Sequence, residues 1–166
     1  MILKSAALGV AMAETDWSVR EEGGNNEGKR VRQYLNGAGI NVAAPWCAAF
    51  VDYCVDLAAG MLRATNPLEG VKHQALVQSY ADTLGHLVVG PQDALPGDLV
   101  LYSFGGERWD HIGFVLEAPN SEGFFRSIEG NTSDESQRDG DAVAVKRRTL
   151  GTGTREPMFI RWSDDT

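Results

Sequence analysis

Cysteine and histidine are scarce in this chain of 166 residues, which contains two cysteines and three histidines. The cysteines, Cys47 and Cys54, lie in one apolar segment, where a helix would separate their Cα atoms by about 10 Å. A disulfide needs Cα atoms within about 7 Å, so we expect these two not to pair with each other. Without a disulfide framework the sequence gives no evidence of an oxidising compartment, and without a CxxC pair it predicts no zinc site.

Long apolar runs and excess positive charge are also missing. No run reaches the ~18 apolar residues of a membrane-spanning helix, so we expect no membrane partner. The net charge of −8 argues against nucleic acid or an anionic membrane as a partner. The composition, 43% hydrophobic and 23% charged, is ordinary for a globular protein. We therefore expect a single domain over residues 1–166, acting as a monomer without a separate binding module.

The first residues of the chain allow two interpretations. A lysine, a short apolar stretch and the sequence Ala11-Met12-Ala13 fit a signal peptide with an A-x-A cleavage site. The stretch has a single positive charge, however, and its apolar run is weak. Leu8, Ala11, Met12 and Thr15 fit one face of a helix, so we favour a first helix over a signal for residues 1–13.

The apolar pattern changes at Pro96, from helical spacing before it to alternation and short apolar runs after it. Helices followed by strands with short links indicate an α+β fold, with N-terminal helices packed on a C-terminal antiparallel sheet of about five to six strands. The helices are predicted at about 2–20, 28–35, 45–60 and 74–84. The strands are predicted at 98–104, 111–117, 123–129, 142–149 and 158–162.

The segment from Pro45 to Val51 places Cys47 behind a proline, at the predicted start of an apolar helix. Proline is favoured at the first position of a helix, and we expect Gly60 to end this one. The unpaired N–H groups and partial positive charge of a helix N-terminus stabilise a thiolate, the reactive form of cysteine. Free cysteines are usually buried and inert, which is the expectation for Cys54 and the alternative for Cys47.

A catalytic cysteine needs a base, and His111 is the best placed of the histidines. It begins a predicted strand directly after the loop 105–110, where the sheet would hold it beside a packed helix. His73 lies in a polar stretch and His86 follows a helix-ending glycine, so we expect both at the surface.

A third polar group commonly orients the imidazole of such a pair. In the next predicted strand, a period of two puts Ser127, Glu129 and Asn131 on one face. Glu129 or Asn131 can then reach the ring nitrogen of His111 that does not touch sulfur, and Gly130 lets the backbone approach closely.

Four segments in this order resemble the motifs of CHAP domains, which belong to the NlpC/P60-like, papain-related cysteine peptidases and amidases that cut peptidoglycan. The resemblance extends over roughly residues 8–162, and four ordered motifs are far more specific than any one of them. The segments are Pro45–Val51, Pro96–Val100, Asp110–Val115 and Ile128–Asn131.

The resemblance implies roles for particular residues. Cys47 would be the nucleophile, His111 the general base and Glu129 the residue that orients His111. Asn131 would either help to fix the histidine or stabilise the oxyanion. The backbone N–H of Cys47 is a further oxyanion donor.

The tryptophans Trp46 and Trp109 flank the two proposed catalytic residues. They are candidates for the walls of a substrate subsite, although aromatic packing explains either equally well. No cofactor is implied. The acidic loop 133–141 lacks the spacing of a calcium-binding loop, so we expect no metal and interpret it as a solvated hairpin loop.

The first functional hypothesis is a peptidoglycan hydrolase that cleaves an amide of the wall peptide, as an endopeptidase or an N-acetylmuramoyl-L-alanine amidase. A small form without a convincing signal suits a phage endolysin, a virion-associated enzyme or a delivered antibacterial toxin. It would be made in the cytoplasm and act at the wall after release or delivery. The alternatives are a papain-like hydrolase or transferase on a non-wall amide, and an inactive binding module.

Overall fold

The structure, a computed structural model, describes residues 3–133 and 140–163. Within this part, four α-helices, mostly N-terminal, accompany a six-stranded antiparallel sheet, which confirms the α+β fold. The helices are α1 (Leu3–Asp16), α2 (Lys29–Gly37), α3 (Cys47–Leu62) and α4 (Val77–Leu84). The strands are β1 (Val88–Val89), β2 (Leu99–Tyr102), β3 (His111–Glu117), β4 (Phe124–Thr132), β5 (Ala142–Thr149) and β6 (Met158–Ile160).

The strand order is β1-β6-β2-β3-β4-β5, and every neighbouring pair is antiparallel. Strands β2 to β5 therefore form a meander, whereas the last strand, β6, returns to lie between β1 and β2. Two register positions matter for the site. Tyr102 of β2 lies opposite His111, and Gly113 of β3 lies opposite Glu129.

Helix α3 is the central helix, packed against α1, α2 and the strands β3 and β4. The predicted buried face is confirmed, since Phe50, Val51, Cys54, Val55 and Ala58 are all fully buried. The side chains of alternate strand residues point to opposite faces of the sheet, and they divide between two apolar clusters. The smaller cluster contains Ala94, Val100, Tyr102, Val115, Phe125 and Phe159.

The first helix is confirmed as part of the packed fold. Its small residues Ala7 and Ala11 are fully buried, which lets α1 lie close to α3. Lys4 on the same helix donates to Asp98, the residue before β2, with Nζ 2.7 Å from Oδ1. The N–H of Leu95 also donates to Asp98, at 2.8 Å. This buried carboxylate therefore ties α1 to the start of the sheet.

Two predicted boundaries of α3 are wrong. Pro45 does not occupy the first helical position, because Trp46 is the N-cap and Cys47 is the first helical residue. The helix also continues through Gly60 and ends at Leu62, followed by the C-cap Arg63, which takes a left-handed conformation with φ 53°. Gly60 is exposed, and a helix tolerates an exposed glycine at a modest cost.

Two smaller points complete the fold. The predicted loop 133–141 has its central residues, 134–139, outside the described residues. None of the helices within residues 3–133 and 140–163 is long and apolar enough to cross a membrane.

Candidate active site

Cys47 occupies the first turn of α3. The carbonyl of Trp46 accepts the first helical hydrogen bond from the N–H of Phe50, at 2.9 Å. The N–H of Cys47 precedes that bond, in the turn where helix N–H groups have no partner within the helix. Cys47 is 5% exposed and lines a surface groove.

The second cysteine of the helix is a core residue, as predicted. Cys54 is fully buried, and burial raises the pKa of its thiol well above the usual range. A buried neutral thiol is inert. Of the two cysteines, the one at the helix start is therefore the one open to chemistry.

The start of α3 rests directly on strand β4 at Gly130. A Cβ on Gly130 would lie 2.7 Å from Cβ of Phe50 and 2.9 Å from Cζ3 of Trp46. These distances are shorter than van der Waals contact, so the backbone can approach this closely only because the residue is glycine. The predicted close approach at Gly130 is thereby confirmed.

His111 lies between Cys47 and Glu129. Its Nε2 is 2.8 Å from Oε2 of Glu129, and the side chain of Cys47 lies close enough to the ring to raise the pKa of His111. Since Nε2 is engaged by Glu129, Nδ1 is the ring nitrogen left for the sulfur. His111 is 3% exposed and Glu129 is fully buried. The structure thus brings Cys47, His111 and Glu129 together.

Gly113 provides the space through which Glu129 reaches His111. His111 and Gly113 point to the same side of β3, and Gly113 lies directly opposite Glu129. A Cβ on Gly113 would lie 2.7 Å from Cγ of Glu129. A larger residue would therefore occupy the space that the Glu129 side chain crosses.

The Glu129 carboxylate is held by several donors. Ser127 Oγ donates to Oε1 at 2.6 Å, and the hydroxyl of Tyr102 donates in turn to Ser127 at 3.0 Å. Arg148 of β5 binds both oxygens, with Nε 2.9 Å from Oε1 and Nη2 on Oε2. This fork-like contact is the strongest type of carboxylate hydrogen bonding. The Arg148 guanidinium also lies over the rings of Tyr102 and Phe104.

Arg148 was missed by the sequence reasoning. The alternation of β5 places Lys146 and Arg148 on one face. A buried glutamate on the neighbouring strand needs a positive charge close to it, and this face of β5 could supply one. That signal was present, but two further basic residues in the same strand, Lys146 and Arg147, obscured it.

Charge in the site stabilises an imidazolium. Burial alone would lower the pKa of His111, but the negative charge of Glu129 and the nearby side chains of Cys47 and Glu129 raise it to about 10. Burial would likewise raise the pKa of Glu129, but the charge of His111 and the hydrogen bond from Arg148 hold it well below its usual range. The pair is therefore charged at neutral pH.

Asn131 occupies a β-bulge rather than a regular strand position. Glu129 pairs with Ala144 and Thr132 pairs with Ala142, so β4 carries one extra residue in this interval. Asn131 accommodates the bulge with φ 53°, a conformation that asparagine tolerates better than most residues.

The predicted common face of Ser127, Glu129 and Asn131 is therefore wrong beyond Glu129. The Thr132 hydroxyl, not Asn131, contacts the Glu129 carboxylate, at 3.4 Å. Asn131 is buried, and its Oδ1 has no hydrogen-bond partner within the described residues.

The family model of the CHAP domain matches residues 39–131, more than half of the chain. The protein belongs to the CHAP domain family. CHAP domains are NlpC/P60-like cysteine peptidase or amidase domains, typically acting on peptidoglycan, so the chain is a hydrolase of the cysteine-peptidase type. No curated protein and no solved structure matches it.

The groove of this CHAP domain has a volume of about 720 Å³ and runs between the start of α3, the segment before α4 and the loop before β3. Trp109, predicted as a subsite wall, is 8% exposed and lines the groove. The residues that line it include Cys47, Lys72, His73, Gln78, Arg108 and Trp109.

Trp46 does not form a substrate wall, contrary to its prediction. It is fully buried, its ring stacks on Tyr34 at 5.6 Å, and its Nε1 donates to Glu21 at 2.9 Å. The alternative reading, aromatic packing, is the correct one for Trp46. His73 and His86 are exposed, as predicted.

Within residues 3–133 and 140–163, no group of three or more histidine, cysteine, aspartate or glutamate side chains is arranged so that it could hold a metal ion.

Proposed function

We propose that this CHAP domain cleaves an amide bond of peptidoglycan, within the wall peptide or between peptide and sugar. The proposal assigns Cys47 as the nucleophile, His111 as the acid and base, and Glu129 as the residue that orients His111. The observation that carries it is the position of His111, which contacts the side chain of Cys47 on one side and the buried Glu129 carboxylate on the other.

The charges of the site support a thiolate–imidazolium pair. Glu129 and a Cys47 thiolate are two negative charges, and the His111 imidazolium and Arg148 are two positive ones. Arg148 binds both oxygens of Glu129, so the charge of this carboxylate is balanced by the guanidinium as well as by the imidazolium. The imidazolium charge thus remains available to stabilise the thiolate.

The reaction follows from these positions. The Cys47 sulfur attacks the amide carbonyl carbon, and the carbonyl oxygen becomes an oxyanion that the N–H of Cys47 can bind. The His111 proton passes to the leaving amine as the C–N bond breaks. Water, deprotonated by His111, then attacks the thioester and releases the carboxylic acid and the free thiol. Asn131 is proposed as an accessory polar residue.

The biological setting proposed is a lytic enzyme of a phage or an antibacterial toxin delivered to another cell. In either case the protein is made in the cytoplasm and reaches the wall after release or delivery, or as part of a virion.

Digestion of purified sacculi tests the proposal. Wild-type protein should solubilise them, whereas Cys47→Ala and His111→Ala should not, and Cys54→Ala should retain activity because Cys54 only packs in the core. Mass spectrometry of the products would identify the bond that is cut. Clearing that survives Cys47→Ala would refute the mechanism, and cleavage of protein substrates without action on sacculi would refute the substrate.

A further inference from the structure

Two cations line the groove beside Cys47 in a protein of net charge −8. Lys72 precedes α4 and Arg108 belongs to the loop before β3, so the chain brings them to the groove from separate segments. Both residues are exposed. Neither makes a hydrogen bond or ion pair with another described residue.

Several other cations of the fold are paired. Arg126 contacts Glu117, Arg148 contacts Glu129 and Arg161 contacts Asp98. The groove cations differ from these in forming no ion pair with a carboxylate of the described residues, although Asp82 and Glu107 line an adjoining hollow with them.

One carboxylate, that of Asp110, also lines the groove and keeps its negative charge, but it forms no ion pair with either cation. Asp110 accepts hydrogen bonds from the N–H groups of Phe104 and Gly105, at 2.9 and 2.8 Å. Both of its oxygens are therefore used to hold the loop that precedes His111. Gln78 is engaged in a similar way, since its Oε1 accepts from the N–H of Trp109 at 3.0 Å and its Nε2 donates to Asp82 at 2.8 Å.

The remaining lining is largely apolar, with Ile40, Val77 and Trp109 among the residues that form it. An extended peptide can bury its backbone and apolar side chains on such a surface. It would still leave two cations to pair with something negative, and the N-terminus of α3 at the groove floor adds further positive potential.

We propose that Lys72 and Arg108 bind a carboxylate of the peptide substrate, so that the enzyme prefers amides with an acidic group close to the bond cut at Cys47. This inference rests on the proposed function for the identity of the reaction, and it adds the chemical class of the substrate. Lys72 and Arg108 determine specificity and take no part in the chemical steps.

Alkylation of Cys47 tests the charge of the groove without a wall substrate. Iodoacetate and iodoacetamide react by the same step, in which the thiolate carbon–sulfur bond forms, the carbon–iodine bond breaks and iodide leaves. They differ in that iodoacetate carries a carboxylate. The ratio of their rate constants therefore reports the preference of the groove for a carboxylate, and it is measured on the full chain near pH 7.

The variants are Lys72→Met and Arg108→Gln, with Arg147→Gln as the matched control. Arg147 is exposed on β5, outside the groove, and its removal changes the net charge equally. We expect each groove variant to lower the iodoacetate-to-iodoacetamide ratio by about threefold or more, because a local charge acts at short range, whereas net charge is screened. Thermal unfolding should show that all three variants fold, since no partner is lost in the groove.

The outcomes separate this inference from the proposed function. A ratio that is unchanged in both groove variants, or that falls equally in Arg147→Gln, would overturn the inference. A ratio that falls in the groove variants and not in Arg147→Gln supports the inference. Failure of the wild-type protein to digest sacculi would refute the wall substrate and would leave this result standing. As a second arm, sacculi whose carboxylates have been amidated should be digested more slowly by wild type, and Lys72→Met should remove that difference.

Discussion

Gly113 and Glu129 face each other across strands β3 and β4, and a methyl group on Gly113 would lie 2.7 Å from Cγ of Glu129. The glutamate reaches His111 through the volume that Gly113 leaves empty. The position of the carboxylate that contacts His111, the proposed acid–base residue, therefore depends on a residue that has no side chain.

Gly113→Ala should reduce the rate of sacculus digestion by about tenfold or more. The added methyl would lie 2.6 Å from the backbone oxygen of Ile128 and 2.7 Å from Cγ of Glu129, so strand β4 and the carboxylate that orients the proposed acid–base residue must both shift. Gly60→Ala is the matched control, since a Cβ there meets no atom within 4 Å. Circular dichroism would show how much of the protein remains folded. Full activity in folded Gly113→Ala would contradict the assigned path of Glu129.

Glu129→Gln should move the alkaline limb of the pH–activity profile to lower pH by about one unit or more. Burial alone would lower the pKa of His111. The negative charge of Glu129 and the nearby side chains of Cys47 and Glu129 together raise it to about 10. Removing that charge leaves burial to favour the neutral ring, so the proton needed by the leaving amine is lost at lower pH. The measurement is kcat/KM against pH.

The control for Glu129→Gln is Glu117→Gln, which removes an exposed carboxylate from the same sheet, paired with Arg126. It should leave the alkaline limb in place. An alkaline limb that stays fixed in Glu129→Gln would show that another group sets it.

Arg148→Gln should lower activity, with Arg148→Lys recovering part of it. Glutamine removes the charge that neutralises Glu129, whereas lysine keeps the charge but loses the two-point contact. The neighbouring Arg147→Gln should have little effect, because Arg147 is exposed and stacks on Phe124 instead. Equal losses in Arg148→Lys and Arg148→Gln would mean that geometry matters and charge does not.

Asp52→Asn should stabilise the protein at pH 8 by about 1 to 3 kcal/mol. Asp52 is buried on α3, its Oδ1 has no hydrogen-bond partner in the described part of the chain, and burial, followed by the charge of Asp56, raises its pKa to about 7. The folded state thus holds this proton more tightly than the unfolded one. Stability therefore falls as pH rises from the usual value near 3.8 through about 7.

Chemical denaturation at pH 4 and pH 8 checks this, and the stabilisation by Asp52→Asn should shrink at the lower pH. Asp93→Asn, at an exposed position, serves as the control. A stabilisation that is independent of pH would argue against ionisation of Asp52 as its cause.

The sequence predicted best the features that depend on local pattern. The buried face of α3 follows from apolar residues at helical spacing, and the bounds of β3 and β5 follow from runs bordered by glycine- and aspartate-rich turns. Strand β1 was not predicted, because two residues are too short for any periodicity and the strand exists only through its pairing with β6.

The site was predictable in part for the same reason. Cys47, His111 and Glu129 each stand at the start of a helix or in a strand that the pattern reveals, so their meeting could be inferred. The bulge at Asn131 shifts the alternation by one residue, and a shift of that kind has no periodic signature. Arg148 lies in the strand beyond Glu129, and its contact depends on strand order and register.

The family match ends at residue 131, yet β5 and β6 follow it in the chain. Strand β5 contributes Arg148, and strand β6 lies inside the sheet between β1 and β2. Excising residues 39–131 alone would therefore retain all of the proposed catalytic side chains while removing an interior strand and the counter-ion of Glu129. The segment that matches the family model is therefore shorter than the segment that forms the sheet. A fragment for expression should include all six strands.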